Sequence, residues 1–129
     1  MTLLVDTHAF LWWLAGGAQL SFNARGAFAD PALRKLLSLA SAWEVAIKVA
    51  KGKLVLPVEL SEMLDVAVAS GFGLLPISTA HIQAVARLAQ IPSHQDPFDR
   101  MLIAQALVEG VPILTSDRRF AEYGVEVVW

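Results

Sequence analysis

Asp6, Glu44, Asp99 and Asp117 are the residues of this chain best placed to do chemistry. Asp6 follows the apolar run TLLV, and Asp117 follows VPILTS. Glu44 comes shortly after KLLSLA, and Asp99 opens the helix-like run DRMLIAQALVEG. In an open α/β sheet, ligands sit in the crevice beyond the carboxyl ends of the strands, so carboxylates delivered there by separate elements can converge. Unpaired carboxylates in one place repel each other, and a hard cation with oxygen ligands relieves that repulsion. The four acids therefore predict a magnesium or manganese site.

Each acid also has a plainer role open to it. Asp6 and Asp117 both precede helical segments and can act as N-caps. Glu44 can pair with Lys48 at i,i+4 on a helix. In DPFD, Asp96 reads as an N-cap with Pro97 at the first helical position, and for Asp96 that role is preferred. Asp99 resists such a reading. It heads the stripe Leu102, Ile103 and Ala106 at i+3, i+4 and i+7, which turns its carboxylate inward over the sheet edge. The joint placement of these acids at one end of the sheet is less easily explained by caps and surface pairs than any one of them alone.

Other constellations are weaker. His8 and Ser116 lack the GxSxG context of a hydrolase nucleophile. AGGAQ lacks the GxxxxGK[ST] pattern of a phosphate loop. His81 and His94 are expected to be solvated or locally bonded rather than ligands. Phe10, Trp12 and Trp13 form an aromatic cluster suited to a core or an interface. Arg100, Arg118 and Arg119 read equally well as a solvated face and as phosphate contacts at the rim of the acidic site.

The elements that must position these residues follow from pattern. Residues 2–5 read as a buried central strand, and a helix follows from Thr7 to Leu14 until Gly16 and Gly17 break it. Ser21 caps a helix through Ala29, Leu36 to Ala40 form a second strand, and Ser41 to Lys51 a helix ended by Gly52. On that helix Trp43, Ile47 and Ala50 share one stripe, and Glu44, Lys48 and Lys51 another. A helix spans Ser61 to Ser70, a third strand lies within GFGLLPIS, and Thr79 caps a helix reaching Gln90. Phe98 to Glu109 is helical and Gly110 ends it. Val111 to Thr115 is a fourth strand, Arg118 to Glu122 a helical turn, and Val125 to Val128 a last strand. Strands separated by helices predict a mostly parallel sheet covered on both faces.

Composition narrows the class. A chain of 129 residues is expected to be one domain, residues 1–129. Hydrophobic residues make up 56 % of it, above the usual share of roughly 45–50 %. That surplus hints at apolar surface covered by a partner. With no cysteine there is no disulfide or thiolate chemistry, and three scattered histidines do not give zinc spacings. No apolar run approaches the ~20 residues that cross a bilayer, and MTLLVDTH has no signal-peptide pattern. The expected location is the cytoplasm. A net charge of −2 argues against a protein that simply coats nucleic acid.

The segments LLVDTHAFLWWL, SLASAWEVAIKVAKGKLVLP, HQDPFDRMLIAQAL and PILTSDRRFAEYGVEVVW resemble PIN-domain ribonucleases. Within that family they are most similar to the VapC-type toxins of VapBC toxin–antitoxin pairs. The resemblance implies a three-layer α/β fold, with a central, mostly parallel five-stranded sheet flanked by helices. It also implies a magnesium-dependent endoribonuclease, with manganese as a substitute, hydrolysing RNA by metal-activated water. The family's acidic motif falls on Asp6, Glu44, Asp99 and Asp117, with Asp96 as an assisting acid and Thr115 or Ser116 as the accompanying hydroxyl. Asp6 and Asp99 are expected to bind the ion directly, and Glu44 and Asp117 through water or a second ion. Lys48, Arg100 or Arg118 are expected to steady the RNA backbone. A cognate VapB-type antitoxin and a homodimer are the implied partners. Two other readings stand beside this one: a receiver-like magnesium-binding signalling module, and a PIN protein that binds RNA or a partner without cutting.

Overall fold

Leu3, Leu4 and Val5 are all buried in the first strand, β1 (Thr2–Val5). Successive strand side chains point to opposite faces, so such a run needs apolar cover on both sides. The computed structural model describes residues 1–129 and shows that cover. β1 lies at the centre of a five-stranded sheet with β2 (Arg34–Ser38), β3 (Gly73–Leu75), β4 (Ile113–Leu114) and β5 (Val127–Val128). The order is β3-β2-β1-β4-β5 and every pairing is parallel.

Register sorts the strand residues into two layers. Leu4 sits opposite Leu36 and Ile113, and Val5 sits opposite Leu37 and Leu114. The Leu3, Val5, Leu37 and Leu114 face packs on α1 (Thr7–Leu14), α2 (Phe22–Ala29), α3 (Leu39–Ala50) and α4 (Leu60–Ala69) through Phe10, Ala24, Val45, Met63 and Ala67. The Leu4, Leu36 and Ile113 face packs on α6 (Pro97–Glu109) through Leu102, Ile103 and Ala106. α5 (Thr79–Arg87) lies against α6. Of the expected aromatic cluster, Phe10 and Trp13 are core, packing ring to ring with Phe28 and Phe72, while Trp12 lies apart from them against Trp129.

Several element boundaries differ from the sequence expectation. The second strand ends at Ser38 rather than Ala40, because the Ser38 hydroxyl accepts from the Ala40 amide at 3.0 Å and starts α3 at Leu39. Ser78, not Thr79, caps α5, in a box closed by the His81 side chain, and α5 stops at Arg87 rather than Gln90. Of the two stripes on α3, the one bearing Glu44 turns inward: Trp43 is 60 % exposed, while Ala40, Ser41, Glu44 and Val45 are buried. Small residues and an acid fill the tight space beneath this helix.

Gln105 ties the layers together. It is fully buried on α6, accepts from the Ser38 hydroxyl at 2.5 Å and donates to the Pro76 carbonyl at 3.4 Å. Gln105→Leu would keep the volume but strand the buried Ser38 donor. It is expected to cost about 1–3 kcal/mol in urea unfolding.

Candidate metal centre

The strand order changes direction at β1. The chain moves from β1 to β2 on one side and reaches β4 on the other, so the crevice opens between the carboxyl ends of β1 and β4. Asp6 and Thr115 face each other across it. Asp6 is 5 % exposed. Its Oδ1 accepts from the amides of His8 at 2.5 Å and Ala9 at 3.4 Å, so it is the N-cap of α1. Its Oδ2 accepts a short hydrogen bond from the Thr115 hydroxyl. Burial pushes the Asp6 carboxyl above its usual range, against the opposing pull of Thr115 and His8. The cap role and the crevice position therefore coexist in one side chain.

Asp99 enters from the first turn of α6. Asp96 caps that helix, its Oδ1 accepting from the Phe98 and Asp99 amides at 2.9 Å each. The Asp99 carboxylate is left without a cap to make and is mostly buried. Its pKa is pushed up to about 7, first by burial and then by the negative charge of Asp96, Asp6, Glu44 and Asp117. All the other acids of the motif thus act on this one carboxylate.

Glu44 is 3 % exposed. Its Oε2 accepts from Lys48 Nζ at 2.6 Å, which holds the lysine above its usual range, while the buried Oε1 has no partner. Asp117 caps the 3₁₀ turn Arg118–Tyr123 and is gripped by Arg119, Nε to Oδ1 at 3.0 Å and Nη2 to Oδ2 at 2.8 Å. That guanidinium holds the Asp117 carboxyl below its usual range. Asp6, Asp99, Ser116 and Asp117 line one cavity of about 370 Å³. Glu44 does not line it, but its charge acts on Asp99. Arg118 is exposed, and Asp96 is exposed with its Oδ1 committed to the cap.

One expectation needs correction. Arg100 is not at the rim. It is 8 % exposed, and its Nη1 donates to the Ala89 carbonyl at 2.9 Å and to the Tyr123 hydroxyl at 3.3 Å. The core-facing side of α6 carries it inward, and it ties α6 to the loop after α5. Arg100→Met is expected to lower stability by about 1–3 kcal/mol. Divalent-ion binding per folded molecule, read by calorimetry, should fall far less than on loss of a pocket acid, because Arg100 touches none of the carboxylates. Of the two roles expected for His94, solvated or locally bonded, the structure shows the second, with Nδ1 2.9 Å from the Tyr123 hydroxyl. His94 is 2 % exposed, stacked edge-on to Phe120, with Nε2 at 3.2 Å from Asp99 Oδ2 and 4.0 Å from Asp117 Oδ2. Its position two residues before Asp96, in HQDPFD, was the available signal. His81 is equally buried, and its Nε2 lies 3.0 Å from Glu109 Oε2.

The donor set fits a divalent cation. Four carboxylates from four segments, with only two side-chain cations beside them, leave negative charge that a hard ion with oxygen ligands relieves. Two buried polar atoms here lack hydrogen-bond partners, Glu44 Oε1 and His94 Nε2. Ligand atoms of His94, Asp99 and Asp117 lie within 4.8 Å of one another, close to the span of one coordination shell.

Fold and pocket together define the class, an all-parallel α/β sheet with carboxylates gathered where its strand order reverses. The chain belongs to the PIN domain family, whose model matches residues 3–126. No curated protein sequence matches it. Among solved structures, VapBC2 from Rickettsia felis bound to a promoter DNA fragment superposes with a TM-score of 0.70 at 13 % identity, covering 99 % of this chain and 98 % of that one. A toxin–antitoxin complex from Klebsiella pneumoniae gives 0.67 at 20 % identity, covering 98 % and 96 %. FitAcB from Neisseria gonorrhoeae gives 0.63 at 18 % identity, covering 100 % and 97 %. At these identities the likeness speaks for the fold.

Proposed function

We propose that this chain is a VapC-type toxin, a divalent-metal-dependent endoribonuclease held in check by a cognate VapB-type antitoxin in the cytoplasm. The observation that carries the reading is the convergence of Asp6, Asp99 and Asp117 on one cavity, where burial first and four neighbouring acids second push the Asp99 carboxyl up to about 7. A structural acid gains nothing from such a neighbourhood, whereas a cation-binding acid needs it. PIN domains are generally nucleases, and the structural neighbours above are toxin–antitoxin complexes.

Asp6 and Asp99 would hold Mg²⁺, or Mn²⁺ in its place, directly, and Glu44 and Asp117 would bind through water or hold a second ion. A divalent ion at such a site polarises a phosphoryl oxygen and lowers the pKa of bound water. Thr115 fixes the Asp6 carboxylate through its hydroxyl, so Asp6 is oriented before any ligand arrives. Lys48 and Arg118 would steady the RNA backbone, and Ser116 lines the pocket. Hydrolysis would leave a 5′-phosphate and a 3′-hydroxyl. An antitoxin tail laid over the pocket would block it. A second copy of the chain is the expected partner in a homodimer. An open apolar groove of about 860 Å³ between α3 and α4, where Val55 is 90 % exposed, suits an apolar partner segment.

The test is cleavage of RNA by the purified chain with Mg²⁺ or Mn²⁺ against the same reaction in EDTA. Equal cleavage in both would overturn the metal-dependent reading. RNA binding without turnover in either would favour the non-cleaving alternative.

A further inference from the structure

Hydrogen bonding fixes which nitrogen of His94 carries a proton. The Tyr123 hydroxyl has one proton and two lone pairs. It donates to the His94 carbonyl at 2.9 Å. Its oxygen lies 3.3 Å from the donor Arg100 Nη1 and 2.9 Å from His94 Nδ1. With its proton spent on the carbonyl, the oxygen can only accept from Nδ1. Nδ1 is therefore the N–H nitrogen of the neutral ring. The free lone pair is on Nε2, buried, and it faces the carboxylates of Asp99 and Asp117.

That arrangement is unfavourable as it stands. A lone pair 3.2 Å from a carboxylate oxygen needs either a proton between them or a cation. The contact lacks hydrogen-bond alignment, which counts against a proton and for a cation set to one side. An N–H held by an outer hydroxyl is also how metal-ligating imidazoles are oriented. Asp117 can take part while gripped by Arg119, because two carboxylate oxygens offer about four lone-pair positions.

We propose that His94 Nε2 is a protein ligand, with Asp99 and Asp117, to a first-row transition ion of the manganese type, and that it makes the pocket prefer such ions to magnesium. Magnesium favours an all-oxygen shell and holds its waters. Imidazole suits iron, nickel, copper and zinc best, and among the carboxylate-binding ions manganese, a first-row transition ion, accepts it more readily than magnesium does. The inference rests on the acidic pocket being a divalent-ion site, as proposed above; it brings Asp117 into direct contact with the ion that Asp99 holds and adds which ion is selected.

The experiment is pulsed EPR of the Mn²⁺-loaded full chain, with calorimetric titration of Mn²⁺ and Mg²⁺. The wild type should show ¹⁴N modulation from one imidazole. His94→Gln should abolish that modulation and weaken Mn²⁺ binding by about 10-fold or more, with Mg²⁺ binding changed far less. His8→Gln, which removes the exposed imidazole near Asp6, should keep the modulation. Bound Mn²⁺ without nitrogen coupling in the wild type overturns the inference, and this readout needs no variant to fold. Coupling that vanishes in His8→Gln but persists in His94→Gln also overturns it. If Mn²⁺ binds and RNA is cut without such coupling, the ligand assignment fails alone. If no divalent ion binds, the reading of the pocket fails with it.

Discussion

Asp99→Asn is expected to lower metal-dependent RNA cleavage by roughly 10³-fold, within the range that a single positioned charged group supplies. The substitution removes one charge and almost no volume. Asp99 caps nothing, since Asp96 performs that role for α6, so a loss of rate cannot be traced to a frayed helix. Asp6→Asn should fall as far for the same reason. Asparagine is as good an N-cap as aspartate, so the start of α1 is kept while the charge goes. Single-turnover cleavage at saturating Mg²⁺ or Mn²⁺ is the measurement. Rates for both variants within about tenfold of wild type would place the chemistry elsewhere.

The same Asp99→Asn chain should be more stable than wild type without divalent ions, and only at neutral to alkaline pH. The folded pKa of Asp99 is raised to about 7 from 3.8, so the folded state holds the proton more tightly than the unfolded one. Its contribution is most favourable below about 4 and is lost as pH rises through 7. The full shift corresponds to an upper bound of about 4 kcal/mol, and partial solvent contact should leave about 1–3 kcal/mol. The two chains should therefore unfold alike in urea at or just below pH 4, diverge as pH rises, and differ by that amount at pH 8 in EDTA. Asp117 works in the opposite sense, its lowered pKa giving stability that is lost on acidification. Comparing variant with wild type at each pH cancels that common effect. Adding Mn²⁺ at about 100 times its Kd should stabilise the wild type by about 2.7 kcal/mol and the variant far less. A variant less stable than wild type at pH 8 would mean that Asp99 makes a structural contact instead.

The parts of this molecule that follow local rules were legible in sequence. The strand around Leu3 to Val5, the caps at Ser21 and Asp96, and the left-handed stop at Gly110 all stand as read. So does the inward turn of Asp99, because a stripe of apolar residues on a long helix leaves little choice of face. What tertiary packing decides was not legible. Trp43 outranks Glu44 on any hydrophobic scale, yet the acid is buried and the indole exposed, since α3 sits close against the sheet and Lys48 compensates the charge. Arg100 looked like a rim cation because its neighbours in sequence are rim residues. Its partners, Ala89 and Tyr123, are distant in sequence. His94 was missed for the same reason. Its tautomer and direction depend on Tyr123, which lies 29 positions away.

The pairing of acids with cations in the pocket has a consequence for stoichiometry. Glu44 brings Lys48 and Asp117 brings Arg119, each within salt-bridge distance, while Asp6 and Asp99 bring no lysine or arginine. Among these six side chains the surplus is two negative charges, which one divalent ion neutralises. Electroneutrality thus favours one ion per free chain. A second ion would add two positive charges, of which the single negative charge of an RNA phosphodiester offsets half, so bound substrate would favour its uptake.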